Sequence, residues 1–164
     1  MKMIMAKYQG RVIISKVDAK GNKIKGNLAT WIKNNPGRLY FDSYPEWEVW
    51  DYLKKQTKLE YKMQVTLELF SGISTEEYQA PRRTKKAIAE GRTQKEIKEI
   101  KQHNIEYTPD FYLPDYGIYI EVKGYADELF KLRWKLFKLK GYKGFIVYSL
   151  DEFKELLKLL ESKE

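Results

Sequence analysis

The sequence predicts an α/β fold, a mixed central sheet flanked by helices. Three observations carry that prediction. Short apolar runs of strand length alternate with longer stretches whose apolar residues recur every three or four positions. Two of the strand-like runs follow one another across the turn Pro114-Asp115-Tyr116-Gly117, which makes a hairpin. Ser43, Thr93 and Ser149 each stand three residues before a Glu, the spacing of a capping box at the head of a helix.

Taken in order, residues 8–28 predict a hairpin, with Val12, Ile13 and Ile14 as one apolar run, Gly21-Asn22 as the turn, and Ile24 and Leu28 beyond it. It belongs to an N-terminal extension over 1–37. A helix follows Ser43, with Pro45 in its first turn and Val49, Trp50 and Leu53 on its inner face. Leu59 to Phe70 predicts one strand. A basic insert over 71–103 comes next, with a short helix from Gln94 to Gln102. Ile105 to Leu113 and Ile118 to Val122 are the strands of the central hairpin. Asp127 caps a helix to Leu139, with Leu129, Leu132, Leu136 and Leu139 as its inward stripe. Gly144 to Ser149 is a buried strand, and the last helix turns Phe153, Leu156, Leu157 and Leu160 inward. The order is α-β-(basic insert)-β-β-α-β-α, with no internal repeat, and 1–164 predicts a single domain.

Composition removes several chemistries. There is no cysteine, hence no disulfide framework and no thiolate zinc site. One histidine, His103, cannot build a multi-histidine metal site, and neither a G-x-S-x-G elbow nor a phosphate-cradling Gly-rich loop is present. Any catalysis must run on carboxylates, lysines and a hard metal ion. The N-terminal MKMIMAKYQG lacks the apolar core of a signal peptide, and no stretch is apolar enough to span a membrane. The chain therefore reads as soluble and cytoplasmic. A net charge of +8 points to a polyanionic partner, DNA before a membrane surface. Much of it lies between Pro81 and Lys101, where Arg82, Arg83, Lys85, Lys86, Arg92, Lys95, Lys98 and Lys101 face three Glu. Lys131, Lys135 and Lys138 add a basic stripe to the helix after Asp127: phosphate contacts or a solvated face.

The acids inside the hairpin are the sharpest signal. In Ile118–Val122, period-two alternation sends Ile118, Ile120 and Val122 to one face and Tyr119 and Glu121 to the other, with Lys123 continuing the second set. Asp110 on the preceding strand can approach both. Carboxylates held close raise each other's pKa unless a cation lies between them, and oxygen ligands without Cys or His select Mg²⁺ or Mn²⁺. A lysine beside them can position a water or stabilise charge on a phosphate. Glu46 heads the buried face of its helix, so it is either the back-bonding member of a capping box or a third acid of the site.

Asp110 followed by Glu121-Val122-Lys123 on consecutive strands, after a helix carrying Glu46, resembles the PD-(D/E)xK nuclease superfamily with its restriction-endonuclease-like α-β-β-β-α-β core. The stretches FDSYPEWEVWDYL, KMQVTLEL and YTPDFYLPDYGIYIEVKG are similar in particular to small phage-type endonucleases, including the junction-resolving endonuclease I group. The likeness covers roughly Arg38 to Leu160. It implies that Asp110 and Glu121 bind Mg²⁺ or Mn²⁺, that the Val122 carbonyl helps, that Lys123 assists the attacking water, and that Glu46 holds a second ion or its water. It further implies a phage-like DNA endonuclease acting on branched or junction DNA such as a Holliday junction, possible as a homodimer. A sequence- or end-specific nuclease of transposase or restriction type, and a non-catalytic nucleic-acid-binding module on the same fold, stay open beside it.

Overall fold

The structure is a computed structural model that describes residues 16–80, 84–91, 96–124 and 126–162. In chain order the described elements are β1 (Val17–Asp18), α1 (Leu28–Asn34), β2 (Tyr40–Phe41), α2 (Tyr44–Gln56), β3 (Lys62–Met63), β4 (Leu67–Phe70), β5 (Ser74–Gln79), α3 (Lys85–Ala89), β6 (Glu96–Lys101), β7 (Ile105–Tyr107), β8 (Phe111–Leu113), a 3₁₀ turn (Pro114–Tyr116), β9 (Ile118–Val122), α4 (Glu128–Leu139), β10 (Gly144–Val147) and α5 (Leu150–Glu161). They are of mixed α/β class and divide into two compact units. One comprises Met1–Val65, so far as it is described, with Pro109–Glu164; the other is Thr66–Thr108.

The first unit is built on a four-stranded sheet in the order β10-β9-β8-β3. β8 and β9 are antiparallel with Phe111 opposite Ile120, β3 adds antiparallel to β8, and β10 lies parallel to β9. The parallel step requires a crossover, which α4 supplies. The hairpin turn works as its sequence predicts: Gly117 sits at φ 62 after the 3₁₀ turn, and its N–H donates to the Pro114 carbonyl. Phe111, Leu113, Ile118, Ile120, Val122 and Val147 join Val49, Trp50 and Leu53 of α2 and Phe153 and Leu157 of α5 in one buried cluster. Both capping serines act, Ser43 Oγ accepting from Glu46 N–H and Ser149 Oγ from Glu152 N–H.

α4 presents a different face from the expected one. Phe130 and Phe137 are buried and Trp134 half-buried, while Leu129, Leu132 and Leu139 are exposed. The three aromatics also recur at helical spacing, and the rings of Trp134 and Phe137 fill the space above the Gly144 backbone, where a Cβ would lie 2.9 Å from each. The predicted N-terminal hairpin falls partly on residues before Lys16, outside the described residues. Within them the turn at Gly21-Asn22 forms, with Val17 bridged to Lys23. Val17 and Asp18 then pair with Phe41 and Tyr40, and Leu28 opens α1 under an Asn27 cap.

The second unit holds two separate two-stranded sheets. β4 pairs with β7 across a bulge between Glu68 and Phe70, and β5 pairs with β6 over six residues, from Ser74 opposite Lys101 to Gln79 opposite Glu96. The expected helix over 94–102 is therefore corrected to a strand for its described part. Ile97 and Ile100 suit a strand at least as well as a helix, and a partner strand decides the matter. The strands expected over 59–70 and 105–113 are each cut in two. Gln64 adopts φ 49 between β3 and β4, and Pro109, which has no N–H, interrupts the ladder between β7 and β8.

Trp47, the neighbour of Glu46 on α2, lies against the N-terminal turn and donates its indole N–H to the Ala19 carbonyl. Gly21 has φ +80, and a Cβ there would lie 2.7 Å from the Trp47 ring, whereas Gly26 has the same φ and open space. Gly21→Ala should cost about 1–3 kcal/mol more than Gly26→Ala, since only the first adds a clash to the backbone strain. Urea denaturation of both variants checks this; equal losses would mean that Trp47 moves aside freely.

Candidate active site

Three elements of the first unit bring four predicted residues together. β8 begins just after Asp110, β9 carries Glu121 and runs into Lys123, and α2 places Glu46 in its first turn. Asp110 is fixed at both ends. Its carbonyl accepts from Gln64 N–H at 3.0 Å, and its Oδ2 accepts from Val122 N–H at 2.7 Å. The second bond ties the acid to the backbone of the E-V-K stretch itself. Val122, whose carbonyl is expected to help hold the metal, also holds Asp110 through its amide.

Glu121 is 3% exposed and its Oε1 lies 2.6 Å from Lys123 Nζ. The ammonium also lies 4.8 Å from the centre of the Phe130 ring, a cation–π contact that sequence reasoning missed because the leucines of α4 had been assigned the inward face. Glu46 is 2% exposed. Its Oε2 folds back to accept from Asp42 N–H at 2.9 Å, one residue before the Ser43 cap that a capping box would engage, and its Oε1 is buried without a hydrogen-bond partner. Asp42, whose own carboxylate pairs with Lys16, is a second residue that the sequence did not single out.

The electrostatics follow from that crowding. Burial pushes the Glu46 carboxyl up to about 7, aided by the charges of Asp42 and Glu121 and opposed by the Asp42 hydrogen bond and Lys123. Burial, then Glu121 and Glu46, raise Asp110 well above the usual carboxylate range, against the Val122 hydrogen bond and Lys123. For Lys123 burial acts downward, but the charge and hydrogen bond of Glu121, with Asp110 and Glu46 behind them, override it and hold the ammonium above its ordinary value. Three acids thus share one lysine.

Such a site fits a hard divalent cation in its chemistry: oxygen donors only, mutual repulsion, and an unpartnered buried carboxylate oxygen at Glu46. Among the described residues no three His, Cys, Asp or Glu side chains already converge as a cage. Glu121 Oε1 lies on the Lys123 ammonium and Asp110 Oδ2 on the Val122 amide.

The predicted basic residues are placed less uniformly. Arg82, Arg83 and Lys95 lie outside the described residues. Lys85 and Lys86 are exposed on α3, with Lys86 3.9 Å from Glu90. Lys98 and Lys101, expected on one side of a helix, alternate to opposite faces of β6. Lys85, Lys86, Lys98 and Lys101 belong to the second unit. Lys131 and Lys135 are exposed on α4, where Lys131 pairs with Glu128 at 2.6 Å. Among the described residues no helix is long and apolar enough to cross a membrane.

The raised carboxyl of Glu46 sets a pH dependence. Below about 4.5 it is protonated both folded and unfolded; between there and about 7 the folded state binds more protons, so stability falls as pH rises. Asp110 acts with the same sign, and Lys123 contributes only in strongly alkaline solution. Urea denaturation in EDTA at pH 5 and pH 8 should therefore show a loss that Glu46→Gln reduces by on the order of 1–3 kcal/mol. An identical pH dependence in the variant would mean that Glu46 is not a buried ionising group.

No protein-family model matches this chain, and neither a curated protein nor a solved structure does.

Proposed function

We propose that the chain is a metal-dependent endonuclease that hydrolyses phosphodiester bonds of DNA, with a restriction-endonuclease-like core formed by α2, the β3-β8-β9-β10 sheet, α4 and α5. The observation that carries the reading is the set of buried Glu46 and Glu121 and half-buried Asp110 around Lys123, with Glu46 Oε1 unpartnered. The order of elements and the Asp110, Glu121-Val122-Lys123 pattern support the same reading. Branched or junction DNA is the first substrate, on the likeness of the motif-bearing stretches to junction-resolving enzymes.

When bound, Mg²⁺ or Mn²⁺ supplies Lewis-acid stabilisation of the charge that develops on the phosphate. Asp110 and Glu121 would hold it, with Asp110 oriented beforehand by the Val122 amide. Lys123 can hydrogen-bond the attacking water or a phosphoryl oxygen, and its contact with the Phe130 ring favours an ammonium held near the acids. Glu46 Oε1 can take up a proton near neutral pH or orient a water. Burial of Glu46 and Glu121 keeps these interactions in surroundings where each charge counts for more than in water.

Asp110→Asn and Glu121→Gln should each abolish Mg²⁺-dependent cleavage while leaving the fold intact, because each removes a charge that repels its neighbours in the metal-free protein. Full activity in either variant would remove the site assignment. Lys123→Ala separates ligand from catalyst: cleavage should fall by ~10²–10⁴-fold, while Mg²⁺ affinity measured by calorimetry should hold or rise, because the ammonium no longer competes for Glu121. Weaker Mg²⁺ binding together with full cleavage would contradict the role given to Lys123. Duplex, single-stranded and four-way-junction DNA, each with Mg²⁺ or EDTA, test the substrate.

A further inference from the structure

A cavity of about 480 Å³ opens in the first unit at the far end of α2 from Glu46. Tyr52 on α2, Lys58 just beyond it, and Lys154, Leu157, Lys158 and Glu161 on α5 line it. α5 packs against α2 through the buried Phe153, whose ring meets Tyr52 edge-on at 6.3 Å. Lys154 and Lys158 are one turn apart and share a side of α5, and Lys58 joins them from the segment that leaves α2. The Lys154 ammonium is held 5.0 Å from the Tyr52 ring centre. Glu161 is the one acid of the lining, so three ammonium groups face one carboxylate. Leu157 is buried and Lys58 and Lys158 are exposed: an apolar floor carries a cationic rim.

We infer that this groove is a second contact for the phosphate backbone of a nucleic acid, separate from the carboxylate site. The inference rests on the nuclease reading for its choice of nucleic acid over other polyanions. Its chemistry is that of backbone binding without sequence readout: flexible ammonium groups on an open groove, beside an aromatic ring. Its position is informative too. Glu46 and Gln56 stand ten residues apart on one straight helix, about 15 Å, or roughly four base steps at 3.4 Å each. A strand cut at the carboxylates would thus be gripped a few nucleotides away, on elements that move together with α2.

The test is a salt titration of duplex binding in EDTA, where cleavage plays no part. Wild type is compared with a variant carrying Lys58→Ala, Lys154→Ala and Lys158→Ala, and with one carrying Lys→Arg at the same three positions. Each phosphate contact contributes ~0.9 to the slope of log K against log salt, so the alanine variant should lose ~2–3 in slope and the arginine variant should keep it. Should the alanine variant not fold, Lys58→Ala with Lys158→Ala, both exposed and clear of the Tyr52 ring, should lose ~2. An unchanged slope overturns the inference. So does saturation of the groove by millimolar inorganic phosphate, followed through the Lys58 amide resonance, with no effect on duplex binding, since that marks a site for free phosphate. Mg²⁺-dependent cleavage by wild type with an unchanged slope overturns the groove alone. A slope that depends on the three lysines in a wild-type protein that never cuts overturns the nuclease reading and leaves the groove standing.

Discussion

The candidate site depends on one hydrogen bond, from the Val122 amide to Asp110 Oδ2. It links two strands that the sheet already pairs through Phe111 and Ile120, and it fixes an acid at the mouth of β8 against the chain that carries Glu121. With Asp110 so held, Glu121, the residue before Val122, is brought close to it, and Glu46 approaches from α2 because Val49, Trp50 and Leu53 bind that helix into one cluster with Ile118, Ile120 and Val122. The apolar core sets the distances and the charges bear the consequence. The register is firm because a slip of one residue would exchange Ile120 for Glu121 in the apolar cluster shared with α2 and α5.

The arrangement is costly for stability and useful for chemistry. A buried carboxylate oxygen without a partner, as at Glu46, normally costs about 1–3 kcal/mol or more, and natural cores avoid it. Lys123 offsets part of the charge but is shared among three acids, and it remains partly exposed. A site with a deficit of positive charge is one that a cation stabilises by binding, so the protein should be more stable with the ion than without it. The Glu121–Lys123 pair is the metal-free answer to the same deficit: it supplies a cation from within the chain.

Much of this was legible in the sequence because the relevant signals were periodic. Alternation in Ile118–Val122 placed Glu121 opposite the core residues, and the spacing of Glu46 from Val49, Trp50 and Leu53 placed it at the end of a buried stripe. What was not legible depended on partners distant in sequence. α4 carries two apolar sets at helical spacing, and the close approach of the Gly144 backbone and the Tyr119 ring favours the face with Trp134 and Phe137 over the leucines. That selection also hid the contact of Phe130 with Lys123. In the same way, Glu96–Lys101 is a strand because Ser74–Gln79 lies beside it, despite a capping-box spacing before it. The break at Gln64 carries no turn residue, and nothing local announces its positive φ. The lysine groove was missed because Lys58 and Lys154 are nearly a hundred positions apart and form no run of charge.

The central claim is that Asp110, Glu121 and Glu46 form a site for a divalent cation. It is tested most directly by titrating Mn²⁺ into the protein and following free Mn²⁺ by electron paramagnetic resonance. The account predicts saturable binding to wild type that is lost when Asp110→Asn and Glu121→Gln are combined, and that weakens as pH falls and the buried carboxyls retain their protons. Equal Mn²⁺ binding by wild type and the double variant, or none by either, would contradict it.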